Sequence, residues 1–143
     1  MIIELLKNNI EKIDNTFIDN NMIINEIENN PFAKILILEE ENNIIGYLYY
    51  SDIYDRIEIN QFEIKKEYRN RGKGKYLLQY LLDNEKKDIT LEVKKDNYSA
   101  IKVYESKGFE TKAVRKGYYN GIDGLLMERK YKDSSRLKES FML

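Results

Sequence analysis

A leucine-striped segment between two short strands is the feature that most constrains how this chain folds. Residues 56–64 and 89–93 have the apolar, β-branched composition of strands, and four leucines recur at helical spacing between residues 77 and 82. Two strands joined through a helix run parallel in one sheet, with a right-handed crossover. The sequence therefore predicts a parallel β-α-β unit.

Antiparallel pairs are predicted on both sides of that unit. Residues 35–50 form two apolar runs around a polar turn, and residues 109–130 form two more around Asn120 and Gly121. An Asn-Gly pair is the strongest two-residue hairpin signal. Residues 2–6 have the composition of a first strand. The predicted fold class is α/β, a single domain with a mixed, mainly antiparallel sheet.

Further helices are predicted outside the β-α-β unit. Apolar residues recur at helical spacing over residues 10–17 and 23–27, and Pro31 ends that stretch. Another helix is predicted over residues 97–107, with Gly108 as its C-terminal stop. The residues expected on its buried face are Ala100, Ile101, Val103 and Tyr104.

The strand at residues 56–64 changes phase along its length. Ile57 and Ile59 alternate on one phase, whereas Phe62 and Ile64 alternate on the other. A strand of period 2 changes phase by gaining a residue, which predicts a β-bulge near Asn60-Gln61. Burial of both faces would give the same pattern without a bulge. A bulge bends its strand away from a neighbour and opens a slot for a ligand.

Composition excludes several classes of site. The chain of 143 residues contains no cysteine and no histidine, so disulfides, thiolate nucleophiles, imidazole bases and Cys or His metal sites are excluded. Its 24 basic and 25 acidic residues give a net charge of −1, which argues against a nucleic-acid or membrane partner. No apolar run approaches the ~20 residues that span a bilayer. We expect a cytoplasmic protein without a metal.

A basic, glycine-containing loop precedes the leucine-striped helix. Residues 65–75 include six basic residues and one acidic residue, and Gly72 and Gly74 lie within them. Glycines and a helix N-terminus with nearby cations suit a pyrophosphate. The spacing excludes a Walker loop, and Leu77 stands where a dinucleotide fingerprint needs its third glycine. A solvated loop and a nucleic-acid patch remain alternatives.

Two segments resemble the GCN5-related N-acetyltransferases (GNAT), most closely the ribosomal-protein-alanine N-acetyltransferase branch. Arg69-x-x-Gly72-x-Gly74 is similar to the acyl-CoA pyrophosphate motif of that superfamily. The following segment is also similar: Leu91-Glu92-Val93-Lys94-x-x-Asn97-x-x-Ala100-x-x-x-Tyr104-Glu105-x-x-Gly108-Phe109. The likeness covers residues 35–127. It implies the GNAT fold, an acyl-CoA-binding β-α-β core and a bulged fourth strand beside the pantetheine.

The resemblance also implies roles for individual residues. It implies a general base at Glu92 and a general acid at Tyr104, with Glu63 and Glu58 as fallback bases. The alternatives are an exposed strand carboxylate at Glu92, a core aromatic at Tyr104 and a plain helix N-cap at Asn97. The implied cofactor-binding residues are Phe62, Glu63, Ile64, Arg69, Asn70, Arg71, Gly72, Lys73, Gly74, Lys75, Asn97 and Tyr104.

The chain departs from the branch pattern near its last strand. It keeps the tyrosine pair at residues 118–119 and Asp123, but a two-residue turn replaces a longer loop. Ile122 and Gly124 stand where the branch has Glu and Ala. That loop lines the acceptor side, so these differences concern the acceptor and leave acetyl-CoA use intact.

The expected protein is an acyl-CoA-dependent N-acetyltransferase with acetyl-CoA as cosubstrate. The expected acceptor is a primary amine, foremost the α-amine of a protein such as a ribosomal protein. Alternatives are a small-amine acetyltransferase, a non-catalytic CoA-binding protein and a nucleic-acid-binding module. The expected domain spans residues 1–130, followed by a tail at residues 131–143 that is expected to be frayed, with docking on a partner as the alternative.

Overall fold

The computed structural model describes residues 1–5, 25–26 and 28–132, and the chain divides into two compact units. The helical stripe at residues 10–17, most of the stripe at 23–27 and nearly all of the predicted tail lie outside the described residues. The first unit, Met1–Glu85, contains β1 (Ile2–Leu5), β2 (Ala33–Glu40), β3 (Asn43–Ile53), β4 (Arg56–Ile64) and α1 (Lys73–Asn84).

The strands of the first unit lie in chain order and pair antiparallel. Glu41 and Asn42 connect β2 to β3 with φ angles of 50° and 65°. Positive φ at both central residues is the conformation that matches the twist of a two-residue hairpin. The predicted hairpin is confirmed, with a shorter turn and longer strands than expected.

The predicted bulge lies in β4. Tyr49 of β3 is opposite Gln61, whereas the next residue, Tyr50, is opposite Ile59. Asn60 is therefore the extra residue, and the side chains after it face the opposite way from those expected of an unbroken strand. The bulge predicted from the phase change is confirmed.

The core of the first unit is packed between α1 and its strands. All four leucines of the helical stripe are buried, as their spacing predicted. Among the residues that the structure describes, strand side chains supply the remainder of this core, and several have no exposed surface: Ile35, Ile45, Leu48 and Ile57. Burying a side chain of this kind stabilises the fold by about 1.5–3 kcal/mol.

A polar cluster lies at the C-terminal end of α1. The Glu85 carboxylate accepts a hydrogen bond of 3.2 Å from the Tyr50 hydroxyl, and its Oε1 lies 3.5 Å from the Lys34 ammonium. Lys34 also pairs with Asp52 at 3.3 Å. Burial, followed by the charge of Glu85, raises the pKa of Tyr50. The tyrosine therefore remains a neutral donor within this cluster.

The second unit, Lys86–Leu143, contains three strands and a helix in its described part. They are β5 (Asp88–Lys94), α2 (Tyr98–Ser106), β6 (Glu110–Tyr119) and β7 (Ile122–Arg129). The strand order is β5-β7-β6, with antiparallel pairing throughout. Asn120 and Gly121 form the β6–β7 turn with φ angles of 50° and 93°, which confirms the predicted hairpin.

Helix α2 ends as predicted but is less buried than predicted. Gly108 has a φ of +92°, and the N–H of Phe109 donates to the carbonyl of Tyr104, an arrangement typical of a glycine-terminated helix. Of the residues of α2, all of which the structure describes, Tyr104 alone is buried. Ala100, Ile101 and Val103, which were predicted to be buried, are only half-buried. Spacing fixes which face turns inward, but the neighbouring elements decide how deeply it is covered.

None of the helices that the structure describes is long and apolar enough to cross a membrane.

Candidate active site

The end of β4 is tied to the loop that follows it. The main-chain carbonyl of Ile64 accepts a hydrogen bond of 2.8 Å from Nε of Arg69, and Nη2 of Arg69 lies 3.7 Å from the Glu63 carboxylate. Arg69 thus contacts the strand that precedes its loop. The structure brings these three predicted cofactor-binding residues together.

The glycine loop leads into α1 through two left-handed residues. Asn70 has a φ of 63° and Gly72, the N-cap of α1, a φ of 77°. In the described structure no side chain caps this helix end. The first N–H groups of a helix have no partner within it, so they favour an anion. The helix start therefore has the features that suit a phosphate group, and phosphate binding there stays a prediction.

The two glycines of the motif serve different purposes. A Cβ at Gly72 would meet no atom within 4 Å, so its left-handed conformation is what favours glycine there. A Cβ at Gly74 would lie 3.6 Å from Cγ1 of Ile64 and 3.8 Å from Cζ of Phe62. Gly74 thus faces the side chains at the end of β4. Phe62 and Ile64 therefore lie next to the first turn of α1.

The cations of the loop have different surroundings. Lys73 forms an ion pair with Glu40 of β2, and the guanidinium of Arg71 lies 5.9 Å from the centre of the Tyr68 ring. The Lys75 side chain is exposed beside the helix start. The charge predicted for this loop is therefore present, but part of it is neutralised by the protein itself.

Glu92 lies on β5 and is held by two residues of β6. Its Oε1 accepts a hydrogen bond of 3.0 Å from the Tyr119 hydroxyl, and its Oε2 lies 3.3 Å from Nε of Arg115. The Glu92 side chain is 19% exposed. A carboxylate with this access and these partners can still accept a proton, because its two oxygens offer about four acceptor positions.

Tyr104 is a buried aromatic residue of α2. It is 9% exposed, and its ring centre lies 5.6 Å from that of Phe109. Burial raises the pKa of Tyr104 to about 12. The hydroxyl therefore stays protonated at neutral pH, as a hydrogen-bond donor must.

Asn97 performs the N-cap role that the sequence left as an alternative. Its Oδ1 accepts a hydrogen bond of 3.3 Å from the main-chain N–H of Ala100, at the start of α2. The residue is exposed. Capping uses the amide oxygen, which leaves the role of the amide NH₂ in ligand binding a prediction.

The fallback bases lie on β4. Glu63 is exposed, and its Oε2 lies 3.5 Å from the hydroxyl of Tyr47 in addition to the contact with Arg69. Burial, followed by the negative charge of Glu63, raises the pKa of Tyr47 to about 12. Glu58 is half-buried on the same strand.

Sequence reasoning did not identify the partners of Glu92. The sequence pattern singled out Tyr119 only as one member of a tyrosine pair, and it did not single out Arg115. Gly124 was noted as a departure from the branch pattern; a Cβ there would lie 2.7 Å from Oε1 of Glu92. Gly124 was the sequence signal for these contacts, but its position beside Glu92 becomes apparent only when the register of β7 against β5 is known.

Comparison with known proteins identifies the family to which this chain is similar. A model of the acetyltransferase (GNAT) family matches residues 5–109. A provisionally named [ribosomal protein bS18]-alanine N-acetyltransferase of Bacillus subtilis (strain 168) is 31% identical over 108 residues, which are 71% of this chain and 72% of that protein. The [ribosomal protein bS18]-alanine N-acetyltransferase of Escherichia coli (strain K12) is 34% identical over 76 residues, about half of each chain. These matches confirm the resemblance inferred from the motifs.

A solved structure shows the likeness of fold. The crystal structure of the ribosomal-protein-S18-alanine N-acetyltransferase from Escherichia coli superposes with a TM-score of 0.79, covering 93% of this chain and 94% of that one at 21% identity. The predicted fold class, α/β with a mixed and mainly antiparallel sheet, is confirmed by this likeness. By its family match, its relatives and its fold, the chain belongs to the acetyltransferase (GNAT) family and is an acyl-CoA-dependent N-acetyltransferase.

Proposed function

We propose that this protein transfers the acetyl group of acetyl-CoA to the N-terminal α-amine of a protein, with a ribosomal protein as the natural acceptor. The observation that carries the proposal is Glu92, a partly buried carboxylate whose two oxygens are both held by neighbours. The names of the relatives from Bacillus subtilis and Escherichia coli support the choice of acceptor. Acetyl-CoA and ribosomal proteins are both present in the cytoplasm, where we place the reaction.

Acetyl-CoA binding is assigned to the loop and strand residues implied by the family pattern. The uncapped start of α1 at Gly72 supports a pyrophosphate site over residues 69–75, together with the exposed Lys75. Main-chain groups of residues 62–64 would pair with the pantetheine arm as an added strand does. Asn97 would contact the same cosubstrate near the start of α2.

Glu92 and Tyr104 are assigned the two proton-handling roles. Glu92 accepts a proton from the attacking amine through water, while the new C–N bond forms at the acetyl carbon. The C–S bond then breaks, and Tyr104 donates a hydrogen bond to the departing thiolate, which leaves as the CoA thiol after protonation. The high pKa of Tyr104 supports a donor that stabilises the thiolate rather than one that ionises fully.

The chemistry of a single carboxylate base favours an α-amine over a lysine side chain. Neutralising an amine of pKa about 7.7–8.0 at pH 7 costs about 1.2 kcal/mol, whereas a lysine of pKa about 10.4 costs about 4.6 kcal/mol. The chain has no histidine to assist the base. An N-terminal amine therefore demands less of Glu92.

Mass spectrometry of the products tests the acceptor directly. The protein is incubated with acetyl-CoA and, separately, a peptide with a free N-terminal alanine, the same peptide with a blocked N-terminus and an internal lysine, and a polyamine. We expect one acetyl group on the free α-amine and none on the blocked peptide. Acetylation of the polyamine in preference to the free peptide would contradict the proposal and identify a small-amine acetyltransferase.

A further inference from the structure

The Glu92 carboxylate is held by a set of contacts that forms a closed ring. The Tyr119 hydroxyl is at 3.0 Å from one carboxylate oxygen and Nε of Arg115 at 3.3 Å from the other. The guanidinium of Arg115 lies 4.7 Å from the centre of the Tyr118 ring, which in turn contacts Tyr119 edge-on with ring centres 5.0 Å apart. The Lys94 ammonium lies 5.3 Å from the centre of the Tyr119 ring. Each of the two residues that hold Glu92 is thus itself fixed by a neighbour.

An irregularity in β6 brings Arg115 and Tyr119 to the same carboxylate. Arg115 is opposite Gly124, and Tyr119 is opposite Ile122, so β6 has two more residues than β7 between these pairs. Gly117 lies inside this bulge with a φ of +60°, and its N–H donates a hydrogen bond of 2.9 Å to Oδ1 of Asp123. Bulges re-aim side chains near functional sites. Because of this bulge, the side chains of Arg115 and Tyr119, which are four positions apart, both reach the Glu92 carboxylate.

Gly124 provides the space for the contact between Glu92 and Tyr119. A Cβ at Gly124 would lie 2.7 Å from Oε1 of Glu92 and 2.9 Å from Cε2 of Tyr119, distances at which one of the two side chains would have to move. Gly124 is not among the residues with positive φ, so backbone conformation does not require glycine there. This accounts for the glycine that replaces the alanine of the branch pattern.

We propose that Tyr119 and Arg115 are positioning residues for Glu92, and that Gly124 is required for the contact between Tyr119 and Glu92. The inference rests on the proposed function, in which Glu92 is the base. A glutamate side chain has several rotatable bonds, and holding each oxygen by a different partner leaves the carboxylate in one orientation. Fixing a reacting group before the substrate arrives removes an entropic cost from the transition state. Acceptor positions on both oxygens remain available for the water that relays the proton.

The protonation state of Tyr119 agrees with this role. Partial burial, followed by the hydrogen bond to Glu92 and the charge of that carboxylate, raises the pKa of Tyr119, although the charge of Arg115 acts in the opposite direction. The hydroxyl therefore donates to Glu92 throughout the neutral range. Loss of this hydroxyl removes a charge-assisted hydrogen bond and leaves the ring in place.

The test uses Tyr119→Phe and Arg115→Gln, with Glu92→Gln as reference. We measure kcat and kcat/KM from pH 6 to 10 with acetyl-CoA and the peptide with a free N-terminal alanine. We expect Tyr119→Phe to lower kcat at pH 7 about tenfold or more. The deficit should shrink as the pH rises, as we also expect for Glu92→Gln, because more of the amine arrives neutral. The KM for acetyl-CoA should not change.

Matched controls separate positioning from general damage to the fold. Tyr54→Phe removes a hydroxyl from a side chain that is 80% exposed, and Lys112→Gln removes a cation of β6 that pairs with Glu110. Both should retain wild-type kcat and the wild-type pH profile. Gly124→Ala should reproduce the pH-dependent deficit of Tyr119→Phe while retaining every polar group of the ring of contacts.

A double-mutant cycle distinguishes this inference from the proposed function. In the Glu92→Gln background, Tyr119→Phe should cause no further loss, because the two residues act as a unit. If Glu92→Gln alone keeps wild-type activity, the assignment of the base fails and the positioning role with it. If Glu92→Gln is impaired while Tyr119→Phe is fully active, the proposed function stands and the positioning role is overturned. A Tyr119→Phe deficit that is equal at every pH, or equal in both backgrounds, also overturns it.

Discussion

Nε of Arg69 donates a hydrogen bond of 2.8 Å to the main-chain carbonyl of Ile64, the last residue of β4. An arginine at the start of a motif that is proposed to bind phosphate is ordinarily regarded as a source of charge. Here its planar head also fixes the loop to the strand that precedes it. Arg69 therefore has a structural role that depends on the geometry of its guanidinium and not only on its charge.

Replacing Arg69 by Lys or by Ala tests which property matters. We expect both variants to raise the Kd for acetyl-CoA about tenfold, which corresponds to about 1.4 kcal/mol. Lysine keeps the charge but cannot reproduce the directed N–H of the guanidinium. Isothermal titration calorimetry measures both affinities. Wild-type affinity in Arg69→Lys would show that charge alone is needed at this position.

Gly72 and Gly74 should respond differently to alanine. Gly72→Ala places a side chain on a residue with a φ of +77°, which costs about 1–2 kcal/mol, and should also weaken acetyl-CoA binding by distorting the start of α1. Gly74→Ala adds a Cβ at ordinary contact distance from Ile64 and Phe62 and should remain close to wild type. Thermal unfolding with and without acetyl-CoA measures both effects. Equal losses of stability and of acetyl-CoA binding in the two variants would contradict the different roles assigned to the two glycines.

Tyr104→Phe tests the role of the buried hydroxyl. With its pKa raised to about 12, Tyr104 would transfer its proton fully to a thiolate of pKa about 8.5 only at a cost of about 5 kcal/mol. We therefore expect hydrogen-bond donation, a loss of about 10²–10⁴ in kcat and an unchanged Kd for acetyl-CoA. The wild-type rate should show no fall from ionisation of Tyr104 up to pH 10. A variant that keeps more than about a third of wild-type kcat would show that Tyr104 is a core aromatic.

Tyr50→Phe tests the polar cluster at the end of α1. Losing the hydrogen bond to Glu85 should cost about 1–2 kcal/mol at pH 8. The pKa of Tyr50 is raised in the folded state, so its contribution is complete below the unfolded pKa of about 10 and declines as the pH rises further. The difference in unfolding free energy between wild type and variant should therefore shrink above pH 10. Denaturant unfolding from pH 8 to 11 measures it, and a constant difference would contradict the prediction.

The sequence by itself determined the features that depend on neighbours along the chain. The Asn120-Gly121 turn, the bulge at Asn60 and the glycine stop at Gly108 each follow from local backbone preferences or from a change of phase within one strand. The order of strands and helices followed from period and length. The family could be identified from the motif residues, because these residues keep the family's spacing along the chain.

Tertiary structure alone decided what surrounds the candidate base. Glu92 meets Tyr119 and Arg115 because β5 and β6 both pair with β7, because the β6 bulge adds two residues and because Gly124 has no side chain. None of these can be inferred from one strand, since a pairing register is set by contacts between residues that are distant in sequence. Burial of α2 was overestimated for the same reason: periodicity gives the direction of a helix face, and the packing of its neighbours determines how much of that face is covered.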